Sequence, residues 1–86
     1  MEIVKTDDFM RGLEGLPKDI GKLYRTQEVR FQKNWRDPRL HIKKVKELPL
    51  ALSFRITRRY RVFFYFKDAE TAVFFDVDHR KDIYRK

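Results

Sequence analysis

The chain contains no cysteine, and it has three glycines and three prolines in 86 residues. Without thiols it can form neither a disulfide framework nor a thiolate metal site, and a reducing cytoplasm is the expected location. No stretch approaches about 18 consecutive apolar residues, and the apolar run at the N-terminus is too short for a signal peptide. The sequence therefore predicts a soluble single domain, residues 1–86, with no membrane span.

Acidic residues are scarce relative to basic ones. The 13 Asp and Glu residues face 21 Lys and Arg residues, which gives a net charge of +8. Such a surface favours nucleic acid, an anionic membrane face or an acidic protein as a partner. The membrane is the weakest of these, because the apolar face beside the basic helical face is needed for the core. With 42% hydrophobic residues, the chain can bury enough surface to fold.

The first half of the chain shows the pattern of one strand followed by two helices. A short strand is predicted at Glu2–Thr6, and Asp7 or Asp8 suits the N-cap of the first helix. Pro17 is predicted in the first turn of the second helix. One stripe of that helix, predicted to face the core, has a period of 3.6 residues and comprises Ile20, Leu23, Tyr24, Gln27, Phe31 and Trp35. A basic loop with at most one helical turn follows, up to Pro49.

Three strands are predicted in the second half, at Leu50–Thr57, Tyr60–Lys67 and Thr71–Val77. Short turns separate them, which predicts an antiparallel meander. The predicted fold is α+β: an N-terminal strand, a helical hairpin and the meander form one sheet with helices on one face.

The face of the meander away from the helices is predicted to carry Arg55 and Arg61 on neighbouring strands. One interpretation is that both guanidiniums reach water or pair with an acid such as Asp76. The other is a phosphate clamp with Phe63 and Tyr65 as aromatic platforms beside it, an arrangement found in proteins that bind single-stranded nucleic acid.

The C-terminal stretch "FFDVDHRKDIYRK" brings together His79, Arg80 and Tyr84. His and Tyr can move protons, and Arg can stabilise a phosphorane. A structural His79 and a core-packed Tyr84 remain the alternatives. A metal cluster of Asp76, Asp78, His79 and Asp82 is disfavoured, because the surrounding arginines and lysines would pair with those carboxylates. Elsewhere, His41 is interpreted as a loop residue, and Trp35 and Phe31 as core residues.

The stretches "SFRITRRYRVFFYF" and "FFDVDHRKDIYR", following a strand and a helical hairpin, resemble the RelE/ParE superfamily of toxin–antitoxin systems, nearer its RelE-type branch. The resemblance spans nearly the whole chain. It implies a RelE-like fold and a metal-independent mRNA endonuclease that acts in the ribosomal A site without a cofactor. It also implies a cognate antitoxin, expected to be acidic and to use Phe63, Tyr65 and Phe75 as apolar anchors.

The resemblance implies a catalytic set of Arg55, Arg61, His79, Arg80 and Tyr84. RNA contacts are predicted for the basic residues Lys43, Lys44, Lys46, Arg58, Arg59 and Lys81, of which Lys44 and Lys46 correspond loosely to basic positions of the family. The proton-transfer group of the family varies: where some members have a glutamate, this chain offers Glu47, and Ser53 stands at a position where others have a lysine. His79 or Tyr84 is then the expected base or acid. Two alternatives remain open, a catalytically degenerate binding module and a ParE-like gyrase inhibitor.

Overall fold

The computed structural model describes residues 1–79, the last two by their backbone alone. The order of elements begins with strand β1 (Glu2–Lys5), helix α1 (Asp7–Glu14) and helix α2 (Lys18–Lys33). A 3-10 helix (Pro38–Leu40) and strand β2 (Lys43–Lys44) follow. The chain then forms β3 (Leu52–Arg55), β4 (Tyr60–Asp68) and β5 (Thr71–His79). The predicted α+β architecture is confirmed. None of the helices in residues 1–79 is long and apolar enough to cross a membrane.

The helix boundaries differ from the prediction at both helices. Thr6, not Asp7 or Asp8, is the N-cap of α1, and its hydroxyl accepts a hydrogen bond from the Phe9 amide at 3.1 Å. The two aspartates lie in the first turn instead, where their negative charges interact favourably with the positive end of the helix dipole. Pro17 occupies the N-cap position of α2 rather than its first turn.

Within residues 1–79, the strands form one five-stranded sheet in the order β1-β5-β4-β3-β2. The predicted meander of β3, β4 and β5 is antiparallel throughout, and β1 pairs in parallel with β5. The two-residue strand β2 pairs with β3 at the opposite edge of the sheet. The sequence predicts a loop for this basic segment before Pro49, so the strand is a difference from the prediction. An irregularity in β5 beside Phe63 and Phe64 leaves Phe75 between two registers.

The core lies between the helices and one face of the sheet. Phe31 of α2 is its centre: its ring packs 5.5, 5.0 and 5.1 Å from the rings of Phe54, Phe64 and Phe74 respectively. These strand residues alternate with side chains on the other face, as the period of two predicts. Burial of several aromatic rings supplies much of the driving force for folding in a domain of this size.

Two residues of the predicted helical stripe behave differently from the rest. Leu23 is exposed, so it lies off the core face of α2. Trp35 comes after the end of α2, but it still packs against the core through an edge contact with Phe66, with ring centroids 4.9 Å apart. Core packing of Trp35 and Phe31 is therefore confirmed, although Trp35 is not helical.

Helix α1 approaches β5 closely at Gly12. A Cβ atom at this position would lie 2.9 Å from Val77 Cγ1 and 3.1 Å from the Val77 carbonyl oxygen. Real Cβ atoms almost never come within 3.0 Å of another heavy atom, and the Val77 carbonyl belongs to backbone that is paired with Val62 of β4. The glycine therefore sets how tightly α1 packs on the sheet.

Candidate nucleic-acid interface

Arg55 and Arg61 lie directly opposite each other on β3 and β4. Their neighbours Phe54 and Val62 are fully buried in the core, so the arginines lie on the sheet face away from the helices. Side chains that face each other in an antiparallel pair lie close enough to interact. The predicted position of the two arginines as cross-strand neighbours is thus confirmed.

Arg61 is not the exposed cation that the sequence predicted, because only 2% of its surface is accessible. Its Nη1 donates to Ser53 Oγ at 3.2 Å and to the His41 carbonyl oxygen at 3.5 Å. The small Ser53 leaves room for the guanidinium, and the connection before β2 folds back far enough to bring the His41 carbonyl within reach. Arg61 is therefore part of the packed structure as well as a source of positive charge.

Arg55 is half-buried, and Gln27 holds its backbone in place. The buried amide Nε2 of Gln27 donates to the Arg55 carbonyl at 2.7 Å and to the Arg39 carbonyl at 3.0 Å. Among the described residues, Arg55 Nε is a buried donor with no hydrogen-bond partner. A desolvated donor beside a second guanidinium strengthens the attraction for an anion.

The other basic residues predicted to bind RNA lie around the arginine pair in two groups. Arg58 and Arg59 are exposed in the turn that joins β3 to β4. Lys43 and Lys44 are exposed on the edge strand β2, and Lys46 follows them. Since Lys43 pairs with Ser53, the β2 lysines lie at the same edge of the sheet as the contact between Ser53 and Arg61.

Acidic residues lie on the β5 side of this face. Asp76 is opposite Phe63, and the backbone of Asp78 is opposite Arg61. The charge on this part of the sheet therefore changes from positive on β2, β3 and β4 to negative on β5. This asymmetry favours the β2–β4 side as the place for an anion.

The predicted C-terminal residues are only partly covered by the structure. The backbone of His79 pairs with Tyr60 in the sheet, on the strand that also carries Arg61. Arg80, Lys81, Asp82 and Tyr84 lie outside the described residues. Among the described side chains, no group of three or more His, Asp or Glu residues lies close enough to hold a metal ion.

The structure also contains an apolar groove of about 320 Å³ that the sequence does not predict, and its walls are Leu48, Pro49, Leu50, Ala51, Tyr65 and Phe75. Leu50 is 91% exposed and Tyr65 40% exposed. Phe63 was also expected to be available to a partner, but it is buried, because its ring packs near that of Phe75. The exposed leucines on either side of Pro49 are the signal that would have indicated the groove.

A second cleft, of about 590 Å³, lies where the end of α2 meets the segment before β2. Its walls are Trp35, Arg36, Asp37, Pro38, His41 and Ile42. The side-chain and backbone hydrogen bonds from Arg39 lower the pKa of Asp37 to about 2, so this carboxylate is ionised at neutral pH. The sequence predicts His41 as a loop residue and Trp35 as a core residue, and it gives no sign that the two line one cleft.

No protein-family model and no curated protein sequence matches this chain. Solved structures do match. The chain is 30% identical to a protein in the toxin–antitoxin complex RelBE2 from Mycobacterium tuberculosis, covering 92% of this chain and 96% of that one with a TM-score of 0.65. It is 26% identical to a protein of the RelB-RelE antitoxin-toxin complex from Methanococcus jannaschii, with 95% of each chain covered and a TM-score of 0.74. A YoeB/ParE toxin from Agrobacterium tumefaciens, 12% identical over 93% of this chain and 99% of that one, shares the fold with a TM-score of 0.77.

Proposed function

Because the chain belongs to the RelE/ParE toxin superfamily, we propose that it is the toxin of a toxin–antitoxin system that cleaves mRNA in the ribosomal A site. Matches to RelE proteins in complexes with RelB support the general assignment. The net charge of +8 suits a surface that meets mRNA and ribosomal RNA. The protein would act in the cytoplasm, where translating ribosomes are found.

The direct pairing of Arg55 with Arg61 is the observation that supports the nuclease proposal most strongly. Two neighbouring guanidiniums raise the local positive potential, which attracts an anion. A scissile phosphate is such an anion, and charge-assisted hydrogen bonds from arginine suit its oxygens. In this proposal the half-buried Arg55 contacts the phosphate, and the buried Arg61 adds positive potential from below and holds Ser53 and the His41 backbone.

The proposed reaction requires neither a metal ion nor a cofactor. The ribose 2′-oxygen attacks the adjacent phosphorus, and the bond from phosphorus to the 5′-oxygen breaks. The 2′-hydroxyl proton goes to a general base, and a general acid protonates the leaving 5′-oxygen. The products are a cyclic phosphate and a 5′-hydroxyl end. His79 and Tyr84 are proposed for the proton transfers, and Arg80 for charge on the phosphorane.

We further propose that the basic residues around the arginine pair bind RNA away from the scissile phosphate. Arg58 and Arg59 in the turn and Lys43, Lys44 and Lys46 near the edge strand are all exposed, which suits contacts with backbone phosphates. Lys81 is proposed to act with them. Such contacts give binding that weakens as salt rises.

The proposed protein partner is an acidic antitoxin. Carboxylates on the antitoxin would neutralise the cations around Arg55, and apolar side chains would enter the groove beside Tyr65 and Phe75. Lys44 and Lys46 lie in the segment leading to that groove, so a chain with alternating acidic and apolar residues fits both features. Structures of RelE with RelB and of YoeB with YefM support an antitoxin as the partner.

Incubation of the protein with a defined mRNA, with and without programmed ribosomes, tests the nuclease proposal by primer extension. We expect cuts in the A-site codon on programmed ribosomes, weak cutting of naked RNA and unchanged cutting in excess EDTA. Arg55→Ala should abolish the cuts, whereas Arg25→Ala, which removes an exposed charge from α2, should retain them. Binding of RNA without any cleavage would favour a non-catalytic module.

Expression in bacteria tests the partner proposal. We expect the protein alone to arrest growth, and co-expression of the adjacent small acidic open reading frame to restore growth through a stable complex. A protein that is harmless at high level and copurifies with no acidic peptide would refute the toxin assignment.

A further inference from the structure

The cleft lined by Trp35, Arg36, Asp37 and His41 adjoins the arginine pair without including it. We propose that this cleft binds an unpaired nucleobase of the RNA strand whose phosphate lies at Arg55. The inference deepens the proposed function and rests on it. It assigns a base-binding role to a surface that the phosphate contacts leave unused.

Trp35 supplies a ring that is fixed in place. One edge contact, to Phe66, ties it to the core at a centroid distance of 4.9 Å and an interplanar angle of 64°. The ring remains partly exposed and lines the cleft. The guanidinium carbon of Arg36 lies 5.1 Å from the centroid of the same ring. Unpaired bases stack on aromatic rings and on guanidinium planes, so both groups offer a base a partner.

The polar groups of the cleft include a hydrogen-bond acceptor for the edge of a base. Asp37 lines the wall and is ionised, and its two carboxylate oxygens are held by Arg39 at 2.7 to 3.1 Å. Each carboxylate oxygen has a further lone pair, which can accept a hydrogen bond from an amino group on the edge of a base. The volume of about 590 Å³ is of the size that small ligands occupy.

His41 connects the cleft to the arginine pair. Its carbonyl accepts the hydrogen bond from Arg61 Nη1, and the same residue lines the cleft. Its backbone is left-handed, with φ of 50° and ψ of 54°, which is uncommon for a residue with a Cβ atom. Such conformations are concentrated at functional sites. A strand with its phosphate at the arginine pair would therefore lie close to His41, through which a neighbouring base could reach the cleft.

The fluorescence of Trp35 tests the inference directly, because the chain has one tryptophan. The probes are a short oligoadenylate and an oligonucleotide of equal length and charge made of abasic ribose phosphates. Binding of each is followed separately by anisotropy of a label on the probe. We expect saturable loss of tryptophan fluorescence with oligoadenylate and little change with the abasic strand, since stacking requires a base.

Three variants sharpen this test. His41→Gly removes the imidazole and suits the left-handed backbone, so it should fold and bind oligoadenylate severalfold more weakly. Arg36→Gln should also weaken binding severalfold, through loss of the guanidinium plane. Arg25→Gln removes one charge from an exposed position of α2 outside the cleft, and should leave the preference for oligoadenylate over the abasic strand unchanged.

Equal fluorescence changes with both probes would overturn the inference, as would tight RNA binding with unchanged fluorescence or no binding of oligoadenylate at all. Cleavage on programmed ribosomes is measured in parallel. Cleavage without the base-dependent change refutes the cleft and leaves the nuclease standing. A base-dependent change without cleavage supports the cleft and refutes the nuclease.

Discussion

Gln27 connects helix α2 to the strand that carries Arg55. Its replacement by leucine should lower the free energy of unfolding by a predictable amount. The side chain is 5% exposed in the middle of α2. Its amide nitrogen donates to two backbone carbonyls, those of Arg39 and Arg55, and its oxygen accepts from Arg30 Nη1 at 2.9 Å. Leucine has a similar volume, so Gln27→Leu removes the hydrogen bonds while largely preserving the packing.

The size of this stability loss depends on the hydrogen-bonding groups that Gln27→Leu leaves without a partner. Both hydrogen bonds to the carbonyls are partly buried. A carbonyl that loses its donor and is not reached by water costs about 1–3 kcal/mol, whereas the partly exposed guanidinium of Arg30 can turn to water. If both carbonyls stay unsatisfied, we expect the free energy of unfolding to fall by about 2–6 kcal/mol. A small domain is stable by only about 5–15 kcal/mol, so the loss would also lower the melting temperature by about 10 °C or more.

Urea unfolding followed by Trp35 fluorescence measures this change. Gln32→Leu is the matched control, because it makes the same chemical change at an exposed position of the same helix and should shift stability by less than about 0.5 kcal/mol. Equal stability of Gln27→Leu and Gln32→Leu would refute the reasoning, since it would mean that the buried amide contributes nothing to the fold.

The remaining predictions use the same unfolding assay. Arg61→Ala should lower the free energy of unfolding by about 2–4 kcal/mol, because it removes a buried side chain and its contact with Ser53. Arg55→Ala should lower it by less than about 1 kcal/mol. Equal losses in the two variants would contradict the burial of Arg61. Burial and the hydrogen bond to Glu28 raise the pKa of the Tyr24 phenol above its ordinary value of 10.0. Its contribution to stability is therefore complete below pH 10.0 and declines as the pH rises above it, so Tyr24→Phe should flatten the decline between about pH 10 and 11; an unchanged slope would argue against the buried phenol. Gly12→Ala should cost about 1–3 kcal/mol by overpacking. Gly21→Ala, which has open space around it, should gain about 0.5–1 kcal/mol, and a gain in both variants would contradict the close approach of α1.

The position of the arginine pair could be predicted because the alternation of strand residues admits one register. Phe54 and Val62 must face the helices to form the core, which leaves Arg55 and Arg61 on the other face. A slip by one residue would move both arginines into the core and expose the aromatic rings. The burial requirement of the apolar face thus fixed the polar face as well.

The burial of Arg61 could not be predicted, because it depends on residues distant in sequence. The His41 carbonyl, twenty residues earlier in the chain, reaches the guanidinium only because the connection before β2 folds back over the sheet. Strand β2 has two residues and is held by backbone pairing, so its side chains show no pattern. Likewise, Leu50 adopts a positive φ of 69° and remains exposed, which hydrophobicity alone argues against.

The N-cap residue of α1 could not be predicted from the sequence either, because it depends on contacts within the sheet. Thr6, Asp7 and Asp8 are all good N-cap residues, and which of them caps α1 depends on where β1 ends. The pairing of β1 with β5 continues to Lys5, and the Thr6 amide still bonds to the Phe74 carbonyl. The helix therefore starts directly after this last sheet contact.

We propose that the ribosome presents the codon that this protein cuts. Primer extension on one mRNA, with ribosomes stalled at either of two adjacent codons and EDTA in excess, tests the claim most directly. We predict that the cut moves by one codon with the ribosome, persists in EDTA and leaves a 5′-hydroxyl end. A cut that stays at one sequence wherever the ribosome stalls, or that EDTA abolishes, would contradict the claim.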